Sequence, residues 1–465
     1  MKKGSQADFG SGSIGRLLFS MAVPAITAQL INLLYNIVDR MYIGHIPGIG
    51  AAALTGVGVT FPVITLITAF SSLIGMGGAA RAAIFMGRQD NDTAEEILGN
   101  CCAALACVAV VLTGAILVFC EPLLLAFGAS ADTIGYASGY LRIYASGTVF
   151  VQTVMGLNMF ITSQGFAQVG MKTTIIGAVC NIVLDPVFIF LLGMGVQGAA
   201  LATVLSQAVS AIWVLAFLTG KKTLLRIRLS RLHIRPAIIG PVLALGVSPF
   251  IMQSTESLLS ICFNTQLQRF GGDLAVGAMA ILTSVMQFGM LPLMGLTQGA
   301  QPIISYNFGA GNPQRVKKAF QLLLTCCLIF TLVLWGGCML IPKIFILIFS
   351  SDPALIEISV WAMRIYMASF LFFGAQIACQ QTFIALGQAA VSLFLALLRK
   401  VILLIPLIFI LPLFFSDQVF AVFLAEPVAD FLAVAVTSLL FFFRFRKILA
   451  DLRQNSLDKA SEAVE

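Results

Sequence analysis

Gln29, Asn32, Asn36 and Asp39 follow one another at intervals of three, four and three residues inside the otherwise apolar run from Leu17 to Ile43. That spacing places all four on one face of an α-helix. A second carboxylate, Asp185, lies in the apolar stretch 173–192, four residues after Asn181 and directly before Pro186. A carboxylate at the centre of a membrane helix costs roughly 2.5 to 3.5 kcal/mol, so two of them in one half of a chain point to binding of a cation or a proton. Proline has no N–H to offer the carbonyl of Ile182, which frees that carbonyl and kinks the helix. A freed carbonyl, an amide oxygen and a carboxylate on one kinked face suit Na⁺, or a proton with water. At 1.5 Å per residue, Asp185 stands roughly 21 Å along its helix, in the same half as Asp39, so the two are expected to converge. Thr203, in Gly198-Ala-Ala-Leu-Ala-Thr203, adds a hydroxyl from a helix thin enough to pack closely.

The second half of the chain carries a related row. Gln253, Glu256, Ser257, Ser260 and Asn264 keep a helical spacing, and at an offset of 225 Asp39 falls opposite Asn264. Together with Gln29, Asn32 and Asn36, the residues Gln253, Glu256, Ser260 and Asn264 are the expected polar lining of a substrate cavity. Where Asp185-Pro186 stands in the first half, the second has Ile405-Pro406, so the proline is kept and the acid is lost. Its other ionisable groups are Arg399, Lys400, Glu426 and Asp430. An unpaired charge inside a bundle is costly, so Arg399 is expected to be neutralised by an acid.

The elements that hold these residues must be membrane-spanning helices. The 465 residues are 59% hydrophobic and only 10% charged, with a mean hydropathy of +0.99. Long apolar runs recur along the whole chain, where a β-barrel would show short alternating segments. We read an all-α polytopic fold of about twelve helices: 17–43, 53–79, 94–119, 133–163, 170–193, 197–219, 238–268, 275–305, 314–340, 354–386, 390–415 and 418–446. With both termini in the cytoplasm, the inner segments hold twenty basic residues, from Lys2 and Lys3 to Lys459, against two outside, Arg269 and Lys343. The net charge of +7 therefore reports topology, and nucleic acid is not an expected partner. The densest cluster, Lys221 to Arg235, is read as topogenic charge that could also touch anionic lipid. Lys2-Lys3 imitates a signal peptide, but a Gly/Ser-rich stretch precedes the apolar run and no cleavage pattern follows. The ten cysteines form neither a CxxC nor a His-spaced ligand set, so no disulfide framework or zinc site is expected.

The chain also repeats itself at an offset of 220 to 225. Leu141-Arg-Ile-Tyr144 returns as Met363-Arg-Ile-Tyr366, Pro24 as Pro249, and Gly87 followed by Glu95-Glu96 as Gly309 followed by Lys317-Lys318. Two bundles of six helices in the same membrane orientation follow, related by a pseudo-twofold axis along the membrane normal. We divide the chain into an N-lobe, 1–220, a basic linker, 221–236, a C-lobe, 237–446, and a cytoplasmic tail, 447–465.

The duplicated plan, Pro24 with the row ending in Asn36-Ile-Val-Asp39-Arg-Met-Tyr-Ile-Gly44, the Asn181-Ile-Val-Leu-Asp185-Pro186 segment and the paired Gly87 and Gly309 loops resemble the multidrug and toxic compound extrusion (MATE) family over nearly the whole chain. The resemblance implies a cation-coupled antiporter, driven by Na⁺ or H⁺, that exports organic cations and other amphipathic compounds by alternating access. It implies a coupling site, or a Na⁺ site if sodium is the ion, at Asp39, Asn181, Asp185 and Thr203. Glu256 resembles a helix-seven acid of some members, whereas helix ten lacks an interior acid, Glu357 being near its end. No other cofactor is expected; the partners are small cationic amphipaths and membrane lipid, and the protein is expected to be a monomer in the inner or plasma membrane. The alternative is a flippase for a lipid-linked precursor, with Arg399 and Lys400 facing phosphate. An enzyme or receptor is disfavoured, since no nucleophile with its base, metal-ligand set or phosphate loop is present.

Overall fold

The computed structural model describes residues 7–462, with backbone alone for 456, 457 and 459–462. Lys2, Lys3 and the side chain of Lys459, counted above among the inner charges, lie outside the described residues. Among the described residues there is no β-strand. In chain order, α1 is Ile14–Gly44, α2 Gly50–Gly87, α3 Asn91–Ala126, α4 Ile134–Ser146, α5 Thr148–Ser163, α6 Ala167–Pro186 and α7 Gly195–Thr219. Then follow α8 Pro236–Gly309, α9 Pro313–Leu340, α10 Pro342–Leu347, α11 Pro353–Tyr366, α12 Phe370–Ala385, α13 Ala389–Leu397, α14 Ile405–Ile410 and α15 Gln418–Glu462. Two π-helical stretches, Val187–Leu191 after α6 and Leu398–Leu404 before α14, lie beside Pro186 and Pro406.

Nine described helices are long and apolar enough to cross a membrane, and a bent pair, α11 with α12 at 49°, makes ten. The chain is a multi-pass membrane protein. Helix α8 is helical throughout except at Gly272 (φ 62°, ψ −160°), a left-handed conformation that suits glycine. A straight helix of its 74 residues would be about 110 Å long, far beyond one hydrocarbon core. Divided at Gly272, and with α4 and α5 joined across Gly147, the set is consistent with twelve spans. The sequence places a loop at 269–274, and a single glycine does that work. Helix α15 runs on to Glu462, through most of the expected tail.

Two compact units are present, one of residues 7–9 and 23–253, the other of 10–22 and 254–462. In the first, α2 packs on α5 and α3, and α6 on α7. A Cβ on Gly75 would lie 2.8 Å from Gly156 Cα, so glycine is what lets α2 and α5 touch backbone to backbone. Gln152, fully buried there, donates from Nε2 to the Ile67 carbonyl at 2.8 Å and accepts from Ser71 Oγ at 2.9 Å, which satisfies its amide in an apolar core.

The basic linker is docked on this unit. Buried Glu95 accepts from the Arg226 backbone N–H at 3.1 Å and pairs with Arg228 at 3.0 Å and Arg231 at 3.3 Å. Arg231 also pairs with Asp92 at 2.8 Å, and Arg235 with Glu96 at 3.1 Å. Four of the basic residues set aside as topogenic charge therefore also fasten the linker to the first turns of α3.

In the second unit, α12 packs on α9 and α15, around the buried rings of Phe370, Phe373, Phe383 and Phe423. The internal repeat is visible in local geometry. Asp90 caps α3 by accepting from Thr93 N at 3.0 Å, and Asn312 caps α9 by accepting from Arg315 N at 3.1 Å. The loops before those caps turn through Gln89 (φ 63°) and Gly311 (φ 69°). Arg142 of α4 reaches Glu121 of α3 at 3.0 Å, while Arg364 of α11 donates to the Met339 carbonyl of α9 at 3.1 Å.

Candidate cation site and its relatives

In the first unit, α6 brings Asn181 and Asp185 to one buried face, as their spacing of four requires. Pro186 ends the regular α-helical pattern, and beyond it Leu192 N donates to the Val187 carbonyl at 2.9 Å, five residues back. Asn181 Nδ2 donates to Asp185 Oδ1 at 3.2 Å and to Thr203 Oγ1 of α7 at 3.4 Å. The Thr203 hydroxyl gives its own hydrogen to the Ala199 carbonyl at 3.0 Å, so its lone pairs face Asn181. Gly198, earlier on α7, permits this approach: a Cβ there would lie 2.7 Å from the Phe188 carbonyl carbon.

Asp39 of α1 lies against Asp185, near enough for the two carboxyls to share a hydrogen bond. Four of the expected site residues, Asp39, Asn181, Asp185 and Thr203, are thus together. Asp39 Oδ1, Asp185 Oδ2 and Asn181 Oδ1 are all buried and receive no hydrogen bond. Arg40, next along α1, is exposed and lies over the Phe61 ring at 5.3 Å. Three buried oxygens without hydrogen-bond donors, two of them on adjoining carboxylates, are the kind of hard, negatively charged group that a proton or a small cation would neutralise. A proton would bridge the carboxyl pair, while Na⁺ would use the hard oxygen ligands.

Tyr35 and Tyr140 belong to this neighbourhood and were not singled out from sequence. Both phenols feel the Asp39 charge, and the Tyr140 hydroxyl lies against Thr203. Tyr140 stacks on Tyr144 at 6.2 Å between ring centroids. Their spacing of four on α4, with Tyr144 inside the repeated Arg-Ile-Tyr motif, was the available signal.

The expected substrate-lining residues are more dispersed. Gln29 and Asn32 are half-buried on α1, while Asn36 is exposed and donates to the Asn32 carbonyl at 2.6 Å. Gln253 belongs to the first unit and donates to Ser72 Oγ at 2.8 Å. Glu256, Ser260 and Asn264 belong to the second, and all three are exposed. Glu256 is paired with Lys400, and Arg399 with Asp430 at 2.6 Å and Glu426 at 3.2 Å. Glu357 of α11 is exposed.

Residues 24–187 and 249–410 each match the model of the MatE family. The chain belongs to the MatE family. The second matched stretch begins 225 residues after the first, which is the internal offset read from the repeated motifs. Curated relatives of this MatE chain include the multidrug export protein MepA of Staphylococcus haemolyticus, 24% identical over 430 residues, covering 92% of this chain and 94% of the relative. MepA of Staphylococcus aureus is 23% identical over 439 residues, covering 93% and 95%. Among solved structures, a MATE transporter in a bent conformation superposes with a TM-score of 0.89 at 21% identity, over 95% of this chain and 98% of that one. A MOP-superfamily transporter from Pyrococcus furiosus gives 0.88 at 21% identity, with the same coverage. At these identities the structural likeness shows the fold.

Proposed function

We propose that this MatE-family protein is a cation-coupled antiporter that exports organic cations and other amphipathic compounds by alternating access. Asp39, Asn181, Asp185 and Thr203 hold the coupling ion, H⁺ or Na⁺. The observation that carries this reading is the pair of adjoining carboxylates with three buried oxygens that receive no hydrogen bond. Such a group is stable in a membrane only when a cation or proton is at hand. One positive charge moving inward across about 100 mV releases roughly 2.3 kcal/mol, enough for a gradient of nearly fiftyfold in an exported neutral compound, at about 1.4 kcal/mol per tenfold. The names of the MepA relatives support drugs as cargo.

The flippase alternative needs Arg399 and Lys400 to face phosphate, yet each is already tied to carboxylates. That favours cationic cargo. In this reading the protein works as a monomer in the cell membrane with both termini cytoplasmic. The test is efflux of a fluorescent organic cation from proteoliposomes under separately imposed inward Na⁺ and H⁺ gradients. Efflux driven by one of them identifies the ion. Silence under both, from folded and oriented protein, removes the antiporter reading.

A further inference from the structure

The second unit contains a charge network that the site above does not use. Arg399 and Lys400, both 4% exposed, lie on the π-helical stretch before α14, and Glu426 and Asp430, 4% and 2% exposed, lie one turn apart on α15. The Arg399 guanidinium holds Asp430 at 2.6 Å and Glu426 at 3.2 Å, and it is seated over the Phe373 ring of α12 at 4.4 Å. Lys400 pairs with Glu256 of α8; the glutamate side chain is 60% exposed and the lysine's only 6%. Tyr366 of α11 faces the same acids. Helix α9 meets α15 at Phe320 and Phe441, about three turns further along. The network therefore sets two cations against three carboxylates. Lys400 and Glu256 cancel, which leaves one guanidinium between two buried carboxylates and one negative charge in excess. A buried net charge of that kind is not sustained where a proton can remove it.

We propose that the Glu426–Asp430 pair is a second proton site, and that Lys400 links it to the exposed carboxylate of Glu256. With Glu256 paired to Lys400, one proton resides on the acid pair and the network is neutral. When a cationic group pairs with Glu256, Lys400 is released toward Glu426, whose charge it already feels. Two cations then balance two carboxylates, and the proton leaves. One positive charge has entered the network and one has left it, so the exchange is balanced without Asp39 or Asp185. The exchange step rests on the organic-cation reading above; the resident proton does not.

The experiment is infrared difference spectroscopy of the detergent-solubilised full chain at neutral pH, in a D39N/D185N background that silences the first site. Spectra are recorded with and without saturating tetraphenylphosphonium. The expected result is a protonated-carboxyl C=O band that disappears in E426Q and equally in D430N, because removing either acid removes the excess charge. The same band is lost when tetraphenylphosphonium binds, and it survives that binding in K400Q. Absence of a protonated carboxyl, or a band that persists in both E426Q and D430N, overturns the proton site. A band that is present but unmoved by bound tetraphenylphosphonium overturns the Lys400 link. If tetraphenylphosphonium does not bind, the band alone decides the proton site, and the failure falls on the cargo reading.

Discussion

Asn181 gives its amide hydrogens to Asp185 and Thr203 and so fixes the distance between α6 and α7 at the candidate cation site. A hydrogen bond to a charged group contributes about 1.5 to 3 kcal/mol, so N181A is expected to weaken coupling-ion affinity by roughly ten- to a hundredfold. Titrating transport against the coupling ion would show this, and an unchanged half-saturation would take Asn181 out of the site. Thr203 separates roles in the same way. T203S keeps the oxygen and is expected to transport normally, whereas T203V, with a methyl where the oxygen was, is expected to lose affinity. At this scale Asp39, Asn181 and Asp185 were legible because carboxylates and amides in apolar runs have few other reasons to be there. Tyr35 and Tyr140 were not, because a tyrosine in a membrane helix is also common packing material. The pairing of Lys400 with Glu256 was hidden too, since it joins residues 144 apart in sequence.

Helix ends and helix contacts make separate predictions. Asp90 caps α3 through Thr93 N, and that hydrogen bond holds its carboxyl below the ordinary aspartate range. A folded-state value below the unfolded one means the cap's contribution is present above about pH 4 and is lost as the pH falls through the lowered value. D90A is expected to cost about 1 kcal/mol, while D90N keeps the cap and removes its acid dependence; thermal unfolding at several pH values distinguishes the two. The linker depends on Glu95. E95A leaves the Arg226 N–H, Arg228 and Arg231 without their shared acceptor, so trypsin should cut within 221–235 faster than in wild type, and equal cleavage would show that Glu95 does not hold the linker. Periodicity gave these helices well. It placed the break at 269–274 but could not show the one at Gly147 or the π-helical stretches, since an apolar run reads the same whether its hydrogen bonds close four or five residues back.

For the molecule as a whole, duplication has conserved frame and changed chemistry. Both halves keep the capped loop, the arginine reaching back to an earlier helix and the proline beside a π-helical stretch. The first half places an acid pair next to that proline, while the second places Arg399 and Lys400 there and answers them with acids from α8 and α15. The offset of the repeat was readable in sequence because Pro, Gly and Arg-Ile-Tyr survive at fixed spacing. The exchange of segments was not: residues 10–22 group with the second unit, and the start of α8, through Gln253, groups with the first. Hydropathy carries no information about which neighbour a helix end selects. Whether the first half's acid pair couples ion movement to export is decided by efflux of a fluorescent organic cation from proteoliposomes of wild type and D185N, at equal protein and orientation, with the coupling-ion gradient imposed and then collapsed. Wild type is expected to export only while the gradient stands, and D185N is expected not to respond to it. Gradient-driven export by D185N at the wild-type rate would contradict that coupling role.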